Sequence, residues 1–252
     1  MPFVIAGGHR LEYDAIDGRR AEAPTLILLH EGLGSVAAWR EFPAKLADAT
    51  GLPVFAYSRR GYGGSAPLDA PFGVDYMHRE AAVLAELRDV FGFEDVILVG
   101  HSDGASIALI HAGTGEQPVR ALVLEAPHVF VEDMTVASIA AAKTAFAEGG
   151  LRQRLARYHG DVDGAFRGWN DIWLHPQFRA WSIEDLLPDI RCPVLAIQGA
   201  DDEYGSPAQL DAIERGLATP FERLVLQGCK HSPHRDQEAA VLEAMAAFIA
   251  GV

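Results

Sequence analysis

The run Val96-Ile97-Leu98-Val99-Gly100-His101-Ser102-Asp103-Gly104 decides how this chain is read. Four apolar, mostly β-branched residues predict a short buried strand. After Gly104, the pattern Ala105, Ile107-Ala108-Leu109-Ile110, Ala112 predicts a buried helix. Ser102 then sits where a strand turns sharply into a helix, the setting in which a Gly-x-Ser-x-Gly turn exposes a serine hydroxyl at a sheet edge. The glycines have a steric task. Such a turn presses its backbone against the adjoining strand and helix, and a Cβ at position 100 or 104 would collide there. The helix N-terminus beneath the hydroxyl favours developing negative charge. With 25 glycines among 252 residues the pentapeptide also arises by chance. An acid and a histidine at other strand ends are what give it meaning.

Outward from that turn, apolar runs alternate with helical stretches. Residues 3–16 hold two short alternating segments around Gly7-Gly8, expected as an antiparallel hairpin at a sheet edge. Thr25–Leu29 is nearly all apolar, as a strand buried on both faces should be. A helix is expected from about 39 to 49, a strand over 53–57, and a long amphipathic helix over 76–91, with further strands at 120–124, 194–198 and 221–226. Helices near 207–217 and 237–250 complete the pattern. This alternation predicts an α/β fold, a mostly parallel sheet with helices on both faces. Between 127 and 187 no strand is evident. Helical stretches at 136–147, 151–158 and 164–173 accompany a cluster of Trp169, Trp173, Phe178 and Trp181. The expected organisation is a core of 1–126 and 188–252 with an inserted helical cap, 127–187.

The composition narrows the function classes. Hydrophobic residues are 49% and charged residues 22%, enough for a substantial core. The net charge of −14 repels phosphate backbones and anionic membranes, so no nucleic-acid partner is expected. No apolar run approaches the roughly 20 residues of a membrane span, and Met1–Ile5 has neither the basic nor the long apolar region of a secretory signal. Cys192 and Cys229 would lie at opposite edges of a parallel sheet, a strand length apart, so they are expected as free thiols in a cytoplasmic protein. The histidines lack metal-ligand spacing, and neither a metal nor another cofactor is implied.

A serine hydroxyl becomes a nucleophile when a base adjoins it and a buried acid orients that base. Strand 194–198 ends in Gly199-Ala200-Asp201-Asp202-Glu203, and strand 221–226 ends in Gln227-Gly228-Cys229-Lys230-His231-Ser232-Pro233-His234. The order is Ser102, then Asp202 or Asp201, then His231, each just past a strand. At these residues the chain resembles the α/β-hydrolase superfamily along essentially its full length. The His30-Glu31-Gly32-Leu33-Gly34 turn and the Ser58-Arg59-Arg60-Gly61-Tyr62-Gly63-Gly64-Ser65 loop carry the resemblance with them. It implies the α/β-hydrolase fold, Asp202 as the acid rather than Asp201, and His231 as the base rather than His234. It also implies an oxyanion hole from the N–H of Asp103 and that of Gly32, with Leu33 as the alternative second donor. Two positions depart from the family pattern: Glu31 stands where a glycine is usual, and Ser58 where many relatives carry aspartate.

The reaction expected is hydrolysis of a small carboxylic ester, a small-molecule acyl substrate, through an acyl-enzyme. The same triad also serves carbon–carbon hydrolases, lactonases, thioesterases and perhydrolases, and an inert small-molecule receptor on this fold is the rival from another class. Glu31, Leu33, Asp103, Phe130, Trp169, Trp173 and Trp181 are the candidate pocket residues. A Gly-x-Ser-Asp-Gly turn is similar to that of valacyclovir-hydrolase-type members, which cleave amino-acid esters. Asp103 is therefore either a reader of a substrate amine or an acid that favours the helix N-terminus. Nothing in the sequence sets the oligomeric state.

Overall fold

The computed structural model describes residues 1–19 and 23–252. The strands are β1 (Phe3–Ala6), β2 (His9–Ile16), β3 (Thr25–Leu29), β4 (Val54–Tyr57), β5 (Val96–His101), β6 (Ala121–Glu125), β7 (Val194–Gly199) and β8 (Phe221–Leu226). The helices are α1 (Phe42–Thr50), α2 (Tyr76–Phe91), α3 (Asp103–Thr114), α4 (Asp133–Ala147), α5 (Leu151–Leu155), α6 (Val162–Trp173), α7 (Ala208–Gly216), α8 (Pro233–Asp236) and α9 (Glu238–Ala250). The eight strands form one sheet in the order β1-β2-β4-β3-β5-β6-β7-β8. The β1–β2 and β2–β4 pairings are antiparallel and the rest parallel. The hairpin expected at 3–16 is the sheet's edge.

Alternation along the central strands sorts their side chains onto two faces. Leu26, Leu28, Ile97, Val99, Ala121, Val123, Leu195 and Ile197 pack beneath α1 and α9. Ile27, Leu29, Val96, Leu98, Leu122, Leu124, Val194 and Ala196 face the layer of α2 and α3. All four residues Val96–Val99 have no exposed surface, and burying side chains of this kind is worth about 1.5–3 kcal/mol each. Strand β8, at the other edge, is half-exposed and carries Glu222 and Arg223, charges that discourage pairing with another chain.

Chain order reverses beside β3: β4 lies on one side of it and β5 on the other. At such a switch point the loops leaving adjacent strands diverge and open a crevice at their carboxyl ends. The loops after β3 and β5 are the ones that carry His30–Gly34 and Ser102. Outside the segment between β6 and β7, two short elements were not expected from the sequence: a 3-10 turn at Val36–Trp39 ahead of α1, and α8 immediately after His231. Between β6 and β7 the described residues contain α4, α5, α6 and two 3-10 turns, with one isolated bridge, Phe130 to Ser182. The second turn, Glu184–Asp189, packs against α3 and α7. No helix among the described residues is long and apolar enough to cross a membrane. Cys192 and Cys229 are both free and buried.

Candidate active site

The turn after β5 is as tight as its sequence demands. A Cβ on Gly104 would lie 2.0 Å from the Leu29 carbonyl oxygen, and one on Gly100 would lie 2.5 Å from that of Gly104. Ser102 between them has φ 53° and ψ −117°, a conformation costing roughly 1–3 kcal/mol in an L-residue. Flanking bonds hold it there: Ser102 N–H donates to the Glu125 carbonyl at 2.9 Å, and the Ser102 carbonyl accepts from Ala105 and Ser106.

The three strand ends converge. His231 Nε2 lies 2.9 Å from Ser102 Oγ, and His231 Nδ1 lies 2.9 Å from both carboxylate oxygens of Asp202. Asp202 also accepts from the Tyr204 N–H at 2.8 Å, the Gly205 N–H at 3.3 Å and Gln198 Nε2 at 2.5 Å. Burial pushes this carboxyl upward. The His231 hydrogen bond and charge, with the Tyr204 N–H, outweigh burial and hold it below the usual carboxylate range. Asp201 is exposed at the same turn, its N–H on the Cys229 carbonyl. His234 turns away from Ser102, donating instead to Glu125, with both groups buried. His101 Nε2 lies 2.7 Å from the His231 carbonyl, and so braces the loop that carries the imidazole. The N–H groups of Asp103 and Gly32 have no hydrogen-bond partner among the described residues.

Several polar residues near the serine are already partnered. The Asp103 carboxylate is 1% exposed. It accepts from Tyr76 Oη at 2.7 Å and Trp173 Nε1 at 3.2 Å, with Arg59 Nη2 at 3.8 Å. Burial raises its pKa, against the Arg59 charge and the two hydrogen bonds. It thus joins the serine's turn to α2, to α6 and to the loop after β4, and as the first residue of α3 it also favours the helix N-terminus. Glu31, the departure from the glycine pattern, folds back over Gly34 and lies 3.5 Å from His101 Nδ1 and 3.3 Å from Arg235. Burial opposes its ionisation, but those neighbours hold its pKa well below the ordinary value. Ser58, the other departure, accepts from the Val36 N–H and donates to Glu12, both at 2.9 Å. Arg59 donates to the His30 and Glu31 carbonyls, so it braces this loop, while Arg60 pairs with Asp69.

A cavity of about 100 Å³ opens onto Ser102 and His231. Glu31, Gly32, Leu33 and Asp103 line it from the sheet side, and Trp169 and Trp173 of α6 line it from above. Trp169 lies directly on Gly32, where a Cβ would come within 2.1 Å of its ring. Phe130 and Trp181 do not line it, contrary to the sequence expectation. Phe130 bridges Ser182, and its backbone is taken by the side chain of Gln209. Trp181 stacks on Phe178 beside Trp173 and fills the space behind the cavity wall. His128, Thr135, Ile139 and Tyr204 line it and were not singled out from the sequence. Two of them were open to the rule that found His231: His128 lies just past the end of β6, and Tyr204 follows Asp202 by two positions. Thr135 and Ile139, one turn apart on α4, carry no such signal.

Residues 26–244 match the alpha/beta hydrolase family. The mouse protein serine hydrolase BPHL is 30% identical over 239 residues, which are 92% of this chain and 80% of that protein. Its human counterpart is 27% identical over 189 residues, 72% of this chain, and the chain spans only 64% of that protein's length. A crystal structure of proline iminopeptidase from Mycobacterium smegmatis, 20% identical, superposes with TM-score 0.82 over 99% of this chain and 97% of that one, a likeness of fold alone. With the family match running from β3 into α9, the chain belongs to the alpha/beta hydrolase family.

Proposed function

We propose that the protein is a serine hydrolase of small carboxylic esters. The observation that carries this reading is the continuous chain of contacts from Ser102 Oγ to His231 Nε2 and from His231 Nδ1 to Asp202, each 2.9 Å. Ser102 attacks the ester carbonyl carbon as His231 takes its proton. Asp202 holds the imidazole in the tautomer that leaves Nε2 free to accept, and steadies the imidazolium that forms. The N–H groups of Asp103 and Gly32 take the negative charge of the tetrahedral intermediate. His231 then returns the proton to the departing alcohol, and water repeats the sequence on the acyl-enzyme to release the acid.

Residues 127–187 act as a cap in this reading, because α4 and α6 supply the roof of the cavity. Its volume, about 100 Å³, lies below the roughly 300–1,000 Å³ of pockets for drug-sized ligands, which favours a small ester. The carboxylate of Asp103, paired with Arg59 and bonded by Tyr76 and Trp173, serves here as a clamp rather than as an amine reader. The buried unpaired thiols suit a reducing, cytoplasmic setting. Turnover of short-chain p-nitrophenyl esters tests the reading. The wild type is expected to hydrolyse them and Ser102→Ala to fall to the uncatalysed background. Unchanged turnover in Ser102→Ala would refute it, and a wild type inert to esters, lactones and thioesters alike would favour the receptor reading.

A further inference from the structure

Among the residues around the cavity, His128 stands apart. It is 2% exposed and lines the cavity, its ring centroid 5.8 Å from that of His231 and 5.4 Å from that of Trp173. Neither ring nitrogen of His128 has a hydrogen-bond partner among the described residues; Nδ1 is fully buried on the side of Gly205, which leaves Nε2 as the nitrogen that can meet a ligand. A neutral imidazole nitrogen beside a cavity and without a protein partner is free to donate to or accept from a ligand, according to tautomer. The backbone around it is fixed on both sides. Its carbonyl accepts from Ser106 Oγ at 2.6 Å, and the next N–H, of Val129, donates to Gln209 Oε1 at 2.8 Å. The ring is thus held in place by contacts that leave its polar edge unemployed. Burial, then the neighbouring His231 charge, push its pKa down to about 3, so it stays a neutral imidazole that offers one donor and one acceptor.

The charges around the cavity limit what such a group can meet. Asp103 is matched by Arg59 and Glu31 by Arg235, while Asp202, bonded to the His231 ring, does not line the cavity. Among the described residues that line the cavity, no unmatched cation remains to hold a substrate carboxylate, and no unmatched anion to hold an ammonium. Resting on the serine-hydrolase reading above, we propose that His128 is a specificity residue that hydrogen-bonds an uncharged oxygen function, a hydroxyl, carbonyl or ether, carried by the ester close to its reacting carbonyl. The preferred substrates are then oxygen-substituted small esters rather than plain alkyl ones.

Two pairs of esters matched in length test this on either side of the scissile bond. p-Nitrophenyl methoxyacetate against p-nitrophenyl butyrate varies the acyl group, and 2-methoxyethyl acetate against butyl acetate varies the alcohol. In at least one pair, His128→Leu is expected to lower kcat/KM for the ether ester about five- to tenfold relative to its alkyl twin, the range of one net hydrogen bond. His128→Gln, which keeps a donor and an acceptor, is expected to recover much of the preference. If the ratio within each pair stays as in the wild type, whether both members fall together or neither changes, the proposal is overturned, and His128 only packs the cavity wall. Should the leucine variant fail to fold, His128→Phe makes the same comparison. Labelling of Ser102 by a fluorophosphonate, followed in parallel, keeps the two readings apart. An unlabelled wild type defeats the serine mechanism, whereas labelled variants with unaltered ester preference defeat only the role of His128.

Discussion

Replacing Asp202 with asparagine changes one atom in a setting where every neighbour is a donor. The carboxylate accepts from the Tyr204 and Gly205 N–H groups on one oxygen and from Gln198 Nε2 on the other, with His231 Nδ1 2.9 Å from each. If the asparagine oxygen keeps the two backbone amides, its NH₂ group faces Gln198 and His231. Gln198 can turn its side-chain amide over so that Oε1, which has no partner, accepts the new donor, at the cost of the Nε2 bond to the Gly205 carbonyl. His231 has no such remedy. With a donor opposite Nδ1, its proton moves to Nε2, which then points a hydrogen at Ser102 Oγ and accepts nothing. A wrong tautomer of this kind lowers kcat by about 10⁴, some 5 kcal/mol of transition-state stabilisation. Folding stability is expected to fall by only about 1–2 kcal/mol, since one donor–donor contact is relieved. Steady-state kinetics on a p-nitrophenyl ester and a denaturant titration measure the two separately. A loss in kcat under tenfold, with chemistry rate-limiting, would refute the role given to Asp202.

Asp103→Asn leaves the buried Arg59 without its counter-charge and sets an amide opposite Tyr76 or Trp173, so a loss of about 3 kcal/mol in unfolding free energy is expected. The kcat/KM ratio between amine-bearing and neutral esters should stay within about twofold, because less than about 0.5 kcal/mol of that ratio rests on this carboxylate. A tenfold shift of the ratio toward neutral esters would instead make Asp103 the amine reader. Glu80 on α2 is buried with Oε2 unpartnered, and burial pushes its pKa up to about 7 against the charges of Arg59 and Arg60. The folded state therefore holds this proton more tightly than the unfolded chain does. Its contribution to stability is full below the ordinary carboxyl pKa and is lost as pH rises toward 7. Glu80→Gln, which stays neutral, is expected to gain about 2–3 kcal/mol over wild type above pH 7 and little near pH 4.5. No gain at the higher pH in a thermal or denaturant melt would show that Glu80 is needed as a charge beside Arg59.

Most of the sheet was legible because its strands are short apolar runs bounded by turn residues. Leu26–Leu29 and Val96–Val99 are buried on both faces, and that is what makes their periodicity nearly continuous. The turns that carry Ser102, Asp202 and His231 followed from the same signal, since each lies beyond a strand, while the family resemblance selected Asp202 over Asp201 and His231 over His234. What the sequence left hidden depends on direction rather than on period. Trp169 and Trp181 look alike in a helical stretch, yet only Trp169 reaches the cavity, because α6 sets it on Gly32 while Trp181 stacks on Phe178. The partners of Asp103 lie 27, 70 and 44 positions away on α2, α6 and the β4 loop, so no local pattern announces the clamp. The family resemblance likewise marked Ser58 and Glu31 only as departures. Their hydrogen bonds and ion pairs to Val36, Glu12, His101 and Arg235 are long-range and give each a bracing task.

The central claim is that the Ser102 hydroxyl is made nucleophilic by His231, and covalent capture tests it most directly. The protein is treated with a fluorophosphonate and digested, and the modified peptide is identified by mass. A single adduct on Ser102 is expected, forming at least about a hundredfold more slowly in His231→Ala, in line with the contribution of a positioned general base. An adduct on another residue, or labelling of Ser102 at the same rate without the imidazole, would contradict the account.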